Sequence, residues 1–372
     1  MAVFLDKAPV AWHNESSLSH VRILLGAEKE LVSAMKSTIK DIALRAGVSP
    51  STVSRVISGS DRISGATHEK VRAIMEEMNY RPNLLARSLV NRTTNAIGVF
   101  SATGAEESMK HPFFAEALRG IGTRAARHGL HLLLGTSASQ EEDGRVVKEM
   151  IYSGMIEGLI LLSTLRDDPV AELLHKNSFP FVVIGHPHHS ENYHCVDSDN
   201  RKAGRMVTEY LLQRGHRRIC CLGADASMSV TYLRQAGFED ALLNAGIPIT
   251  KDTFLASPLL SGEDALPLPF LTHEGPTAAV AQDDAIAIWL MGALQKAGYR
   301  VPEDVSVISF NNAAVSAYTS PPLTTVEVYP YTLGERAMAL LNDLLKEPGM
   351  GPRWVEVPVK LMERGSVCPP KG

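Results

Sequence analysis

The chain has 372 residues, 45% of them apolar and 21% charged, with a formal net charge of −4. That length exceeds what one core holds and implies two or three domains, while no run of eighteen apolar residues offers a membrane span. Evenly spread negative charge would argue against nucleic acid, but residues 36–92 hold ten Lys/Arg against five Asp/Glu and the chain beyond them carries −8. A basic head on an acidic body concentrates affinity for a polyanion at one end.

From Thr38 to Ile57 the chain reads TIKDIALRAGVSPSTVSRVI, two short amphipathic helices hinged at Ala46-Gly47-Val48-Ser49. Ile39, Ile42, Ala43 and Ala46 share one face of the first. Gly47 supplies the turn, Ser49 caps the second helix and Pro50 opens it. There Val53, Val56 and Ile57 point inward, leaving Ser51, Thr52, Ser54 and Arg55 outside. Small hydroxyls suit phosphates and Arg55 suits a guanine edge, as a helix entering a major groove requires. Ser64 caps a third helix with Val71, Ile74, Met75 and Met78 inward, closing a three-helix head. After Arg81-Pro82, Asn83 caps a short run, Leu84–Val90, that opens onto the polar linker NRTTN.

This ordered series resembles the LacI/GalR (lactose-repressor) family of transcription regulators, from about Lys36 to about Val367. The resemblance implies residues 36–82 as helix-turn-helix head, 83–94 as hinge helix and linker, and 95–368 as an effector-binding and dimerisation domain. Within that domain subdomain N is set at about 95–195 plus 329–353, and subdomain C at about 196–328 plus 354–368. Residues 1–35 match nothing in the family and are read as a disordered tail or as sequence upstream of a native start at Met35. They hold one apolar patch, Val21–Leu25, without the layout of a secretory signal. The resemblance puts Thr38, Ser49, Pro50, Ser51, Thr52, Ser54 and Arg55 at the DNA. It makes Asn83, Ala86 and Leu89 hinge residues, with Leu89 the wedge between central base pairs of a palindromic operator; packing in a dimer is the plainer role for that leucine.

Beyond Ala96 apolar strands alternate with amphipathic helices. Strands are expected at Ile97–Phe100, Leu130–Leu134, Leu159–Leu162, Phe181–Gly185, Arg218–Gly223, Ala278–Ala281, Val305–Phe310 and Trp354–Val359. Helices are expected at Phe113–Arg127, Glu141–Tyr152, Lys202–Gln213, Leu233–Asn244, Ala285–Lys296 and Leu333–Leu345. Such alternation gives parallel sheets covered by helices, here two doubly wound subdomains like those of periplasmic binding proteins. Ligands bind beyond the carboxyl ends of such strands. The residues there are polar with aromatics, which suits a sugar. The resemblance places effector contacts at Phe113, Phe114, His186, Arg234, Gln282, Asp283, Asn311 and Tyr329, with Tyr331 as another platform. Packing between subdomains is the plainer role for each aromatic. ISFNN, VDSDN and SPPLTTVEVYPYTLGERA are most similar to the maltose-operon-repressor branch, so maltose or another α-glucoside is the expected effector.

Cys195, Cys220, Cys221 and Cys368 form no CxxC and read as free thiols in a reducing cytoplasm, Cys220 and Cys221 facing opposite sides of a strand. His186, His188, His189 and His194 beside Cys195 lack a zinc-ligand spacing, so no metal or cofactor is expected. Asp283-Asp284 could serve glycoside hydrolysis, but adjacent carboxylates at a helix start serve its dipole or a ligand hydroxyl instead. No Walker loop, GxSxG or HExxH is present, and no enzyme activity is expected. The expected partners are operator DNA, a sugar effector and a second copy of the chain, with a tetramer left open. A catabolite regulator of the same family, with a phosphorylated carrier protein as co-repressor, and a sugar-transport receptor remain the alternatives.

Overall fold

The computed structural model describes residues 37–60, 62–80, 94–101, 111–162, 165–223, 227–256, 266–272 and 274–371. The extension 1–35, the hinge run with Asn83, Ala86 and Leu89, and most of the loop preceding His111 lie outside the described residues. Contacts divide the chain at Arg92/Thr93 into a head and a body.

In the head, α1 (Ile39–Ala46), α2 (Pro50–Ile57) and α3 (Gly65–Glu77) surround Ile42, Ala43, Ala46, Val53, Val56 and Val71. Ile74, Met75 and Met78 pack around this core half-buried. Each helix begins on a side-chain cap. Thr38 and Asp41 form a reciprocal capping box, Ser49 accepts from the Thr52 N–H at 3.1 Å and Ser64 from the Thr67 N–H at 3.4 Å. Each cap satisfies a donor the helix cannot use and contributes about 1 kcal/mol. Gly47 adopts φ +66°, which lets α1 end and α2 begin within three residues. An ion pair between Arg45 and Glu77 ties α1 to α3.

The body contains two six-stranded sheets. The first has the order β11-β5-β4-β3-β1-β2, built from β1 (Ala96–Ser101), β2 (His131–Gly135), β3 (Gly158–Leu162), β4 (Phe181–Ile184), β5 (Cys195–Ser198) and β11 (Trp354–Val357), all parallel. The second, β12-β10-β9-β8-β6-β7, joins β6 (Ile219–Gly223), β7 (Phe254–Ala256), β8 (Ala278–Ala281), β9 (Ser306–Phe310), β10 (Thr324–Glu327) and β12 (Lys360–Met362), with only β12 antiparallel. Helices cover both faces, so the inner strands β3, β4, β6 and β8 are apolar on both sides. On the first sheet α4 (Pro112–Arg127) and α10 (Pro330–Lys346) bury one face, and α5 (Gln140–Tyr152) and α6 (Pro169–Lys176) the other. On the second, α7 (Asn200–Gln213) and α8 (Ser229–Asn244) lie opposite α9 (Asp284–Lys296). Cys221 faces the α7–α8 layer and Cys220 the α9 layer, as alternation along β6 requires.

The chain passes between the sheets three times, after β5, after β10 and between β11 and β12. This corrects two of the expected boundaries. Residues 196–198 continue β5 of the first sheet, and 354–357 form its edge strand β11 instead of entering the second subdomain. Trp354 pairs with Cys195 and Val357 with Ser198, a register that only the assembled sheet determines. The strands β5, β7, β10 and β12 and the helix α6 were not among those expected. Their sequences are short, and β5 and β10 carry Asp, Ser and Thr at buried positions. Ser198 Oγ donates to the Val328 carbonyl at 3.1 Å, pinning the first two crossings together.

Two glycine pairs let the covering helices touch backbone to backbone. A Cβ on Gly120 or Gly334 would overlap the opposite helix of the α4–α10 pair. One on Gly204 or Gly237 would overlap the α7–α8 pair, where Gly204 meets the Arg234 carbonyl. Arg234 is thus set in place by a contact that any larger residue at 204 would push apart.

Candidate nucleic-acid interface and ligand cleft

On the head, Pro50, Ser51 and Arg55 are exposed while Thr52 and Ser54 are half-exposed. Ser49 Oγ lies 2.7 Å from Ser51 Oγ and 2.9 Å from Thr52 Oγ1, a cluster of small hydroxyls at the start of α2. The Arg55 guanidinium has no partner among the described residues, so its donors are available to an acceptor from outside. Thr38 is committed to its capping box, its Oγ1 donating to Asp41 at 2.7 Å. A helix start offering hydroxyls and a free guanidinium can meet phosphates and a base edge together.

In the body, the carboxyl ends of β5, β8 and β9 bring Asn200, Gln282 and Asn311 to one cluster around Arg234 of α8. Arg234 is 5% exposed. Its Nε donates to Asn200 Oδ1 at 3.0 Å, Nη1 to the Gln282 carbonyl at 2.7 Å and Nη2 to Asn311 Oδ1 at 3.2 Å. Its guanidinium lies 4.3 Å from the centre of the Phe310 ring. Asn200 passes the network on, its Nδ2 donating to both oxygens of Asp197 at 3.2 and 3.1 Å. Burial pushes Asp197 up to about 7, against the Ser198 N–H, Asn200 and Arg234, which favour its charged form. Burial likewise lowers Arg234 to about 10, opposed by Asp283, Asp197 and Asp284. Of the five guanidinium N–H groups, two remain without a partner among the described residues.

Asp283 caps α9, its Oδ1 accepting from the Ile286 N–H at 2.8 Å. Burial would raise its pKa, but His111, that N–H and Arg234 together bring it below the ordinary value. Asp284 turns away to Ser309, the Thr325 hydroxyl at 2.7 Å and the Ala313 N–H at 2.6 Å. The two adjacent carboxylates therefore serve different neighbours, not one shared proton. Gln282 donates from Nε2 to Cys221 Sγ at 3.1 Å, leaving a buried Oε1 with no partner among the described residues. Asn311 is held at φ 98° and Tyr329 at φ 54°; strain of this kind gathers where side chains are aimed for binding.

The two subdomains also meet across the cleft. Leu165 forms an antiparallel bridge with Met228, the Arg166 N–H donates to the Ser227 carbonyl at 2.9 Å, and the Arg166 guanidinium lies 3.8 Å from the Tyr232 ring centre. His111 Nε2, at the start of α4, stands 3.7 Å from Asp283 Oδ2.

Sequence comparisons identify the architecture. The pattern for bacterial regulatory proteins of the lacI family matches residues 38–83, and that for the periplasmic binding protein-like domain matches 208–367. The HTH-type transcriptional regulator MalR of Staphylococcus xylosus is 31% identical over 329 residues, 88% of this chain and 97% of its own. The chain belongs to the LacI family. This LacI-family chain also resembles two solved structures. One is the lac repressor dimer bound to operator and the anti-inducer ONPF (26% identity, TM-score 0.78, 90% of this chain and 99% of that one). The other is the transcriptional regulator CelR–cellobiose complex (27% identity, TM-score 0.65, 89% and 100%).

In this LacI-family fold Arg234, Gln282, Asp283 and Asn311 gather at one cluster, as their post-strand positions suggested. Two expected platforms differ. Phe114 is 5% exposed inside the first subdomain's core, so its faces are occupied by packing and it is withdrawn as an effector-stacking ring. Phe113 is half-buried and packs against the cores of both subdomains. Tyr331 lies under the Arg119 guanidinium, 4.2 Å away, whereas Tyr329 is 37% exposed. His186 is half-buried against Trp354, ring centres 4.5 Å apart, and burial lowers its pKa. Of the other histidines of its group, His188 Nδ1 lies 3.0 Å from Asp167 and His189 Nδ1 3.4 Å from Glu191, with their two rings 6.0 Å apart. Among the described residues no three His, Cys, Asp or Glu gather as metal ligands, and no helix is long and apolar enough to cross a membrane. Asn200, Asp197, His111 and Trp354 escaped the sequence reading. For Asn200 and Asp197 the signal was present in VDSDN, which runs from β5 into the start of α7, but β5 itself was too polar to be recognised.

Proposed function

We propose that the chain is a sequence-specific transcriptional repressor, dimeric on a palindromic operator and released by a small sugar bound between the body's subdomains. The observation that carries the effector half is Arg234. It is a buried cation held by three planar acceptors, with two donors to spare among the described residues, and Gln282, whose backbone carbonyl is one of those acceptors, also carries a buried Oε1 with no partner there. Such fixed polar groups suit an uncharged, hydroxyl-rich ligand. Phe113, His186 and Tyr329 would line the same cleft, with Asp283 and Asn311 reading hydroxyls. The CelR complex with cellobiose and the relative named MalR favour a disaccharide, and maltose or another α-glucoside is our choice.

For the head, Ser49, Pro50, Ser51, Thr52, Ser54 and Arg55 would face the major groove, with Thr38 at the phosphates. The lac repressor dimer on its operator supports a symmetric arrangement. The proposed hinge role of Asn83, Ala86 and Leu89, with Leu89 wedged in the minor groove, rests on the sequence resemblance. Sugar would bind the closed cleft more tightly, shift the amino-terminal subdomains and separate the paired hinges.

The test is fluorescence anisotropy on a palindromic duplex with a central CG step, against scrambled DNA, with maltose and with cellobiose. Specific binding released by a sugar is expected. Specific binding indifferent to both rejects these two sugars and turns the search to other glucosides, sugar phosphates or a protein co-repressor. Equal binding to both duplexes rejects sequence-specific recognition of this palindrome.

A further inference from the structure

We propose that His111 and Asp283 together read one ligand hydroxyl, so that the ligand itself joins the two subdomains. The assignment rests on the reading of the cleft as a sugar site. Each residue commits one side-chain atom to its own helix. His111 Nδ1 accepts from the Phe113 N–H at 3.3 Å at the start of α4, and Asp283 Oδ1 accepts from the Ile286 N–H at 2.8 Å at the start of α9. That leaves one atom of each facing the other subdomain. Because Nδ1 is an acceptor, the ring hydrogen sits on Nε2, making it a donor. Opposite it, Asp283 Oδ2 is an acceptor.

The two stand 3.7 Å apart, beyond the 2.7–3.2 Å of an ordinary N–H···O bond. A hydroxyl oxygen about 2.8 Å from each would subtend an angle of roughly 80° and satisfy both, accepting from Nε2–H and donating to Oδ2. A ligand carboxylate or phosphate would face repulsion from Asp283, and an ammonium could not accept from Nε2–H. The pair therefore selects an uncharged hydroxyl. Both side chains remain reachable, with 38% and 18% of their surfaces exposed. Since α4 belongs to the first subdomain and α9 to the second, the hydroxyl they share is bound only when the cleft is closed.

The experiment is calorimetric titration of the full chain with maltose and cellobiose, then with each monodeoxy analogue of whichever sugar binds. His111→Asn and Asp283→Asn are compared with wild type, singly and combined. Asparagine preserves both helix caps, while at 111 it is too short to reach across and at 283 it turns the acceptor into a donor. His111→Gln serves should His111→Asn fail to fold. Each single variant should lose roughly tenfold to a hundredfold in affinity, and the double variant little more. The penalty should vanish for one monodeoxy analogue and persist for the others. Unchanged affinity overturns the assignment while leaving the sugar reading intact. An equal penalty for every analogue also overturns it, showing a direct closing contact. Wild type that binds neither sugar overturns the sugar reading and this assignment with it.

Discussion

The head and the cleft use polar side chains in opposite ways. In the head, the side chains proposed to meet the major groove and its phosphates come from one stretch of under twenty residues and stand exposed or half-exposed, and the Arg55 guanidinium has no partner among the described residues. In the cleft they come from segments scattered between His111 and Tyr329, and Arg234 already bonds Asn200, Gln282 and Asn311. A surface that meets a large, charged, hydrated partner can leave its donors in water until contact. A buried site cannot, because each unpartnered polar atom costs about 1–3 kcal/mol. The cleft is therefore organised before its ligand arrives, and only a few atoms are left over to read it.

That contrast predicts where mutations register. Arg234→Ala should be the most damaging, costing about 3–5 kcal/mol of folding stability through the buried acceptors and carboxylates left uncompensated. Urea unfolding measures it, and a loss under 1 kcal/mol would mean the network is not built in advance. Gly204→Ala should cost about 1–3 kcal/mol by forcing α7 off α8 and should weaken sugar binding by moving Arg234. Gly122→Ala, where the nearest atom to a new Cβ is 3.6 Å away, should be close to neutral in the same unfolding assay.

In the head the effect changes kind. Arg55→Ala should leave thermal stability unchanged while costing about 1–3 kcal/mol of specific binding, with relaxed preference at one position per half-site. Anisotropy showing the same loss on random DNA would reduce Arg55 to a phosphate contact.

The effect at Asp197 depends on pH. The folded chain keeps its proton to about 7, whereas an unfolded aspartate releases it near 4. Its share of stability is therefore full at low pH and declines as pH climbs through that window. Asp197→Asn should gain on wild type between pH 5 and pH 8 in urea midpoints. Parallel profiles for the two proteins would show that Asp197 is ionised throughout.

The same contrast explains what was legible in the sequence. The head's caps, turn and core obey spacings of three and four residues, so Ser49, Ser64, Gly47 and Val53 could be placed without knowing any distant contact. In the body, long apolar strands and glycine-ended helices were equally plain. What stayed hidden depended on assembly. Asp197 lies in, and Asn200 just after, a four-residue strand whose buried Asp and Ser mask its period, and Trp354 reaches His186 only through the β5–β11 pairing. Phe114 was misread for the same reason. Helical phase shows that Phe113 and Phe114 point in different directions, but not which of them enters the core.

The central claim is that one cleft ligand and operator DNA bias the same equilibrium, and coupling of that kind is reciprocal. The most direct measurement is maltose affinity of the full chain, free and saturated with its palindromic operator. The account predicts that operator weakens maltose binding by the same factor by which maltose weakens operator binding. Identical maltose affinity in both states would contradict it, however tightly each ligand binds alone.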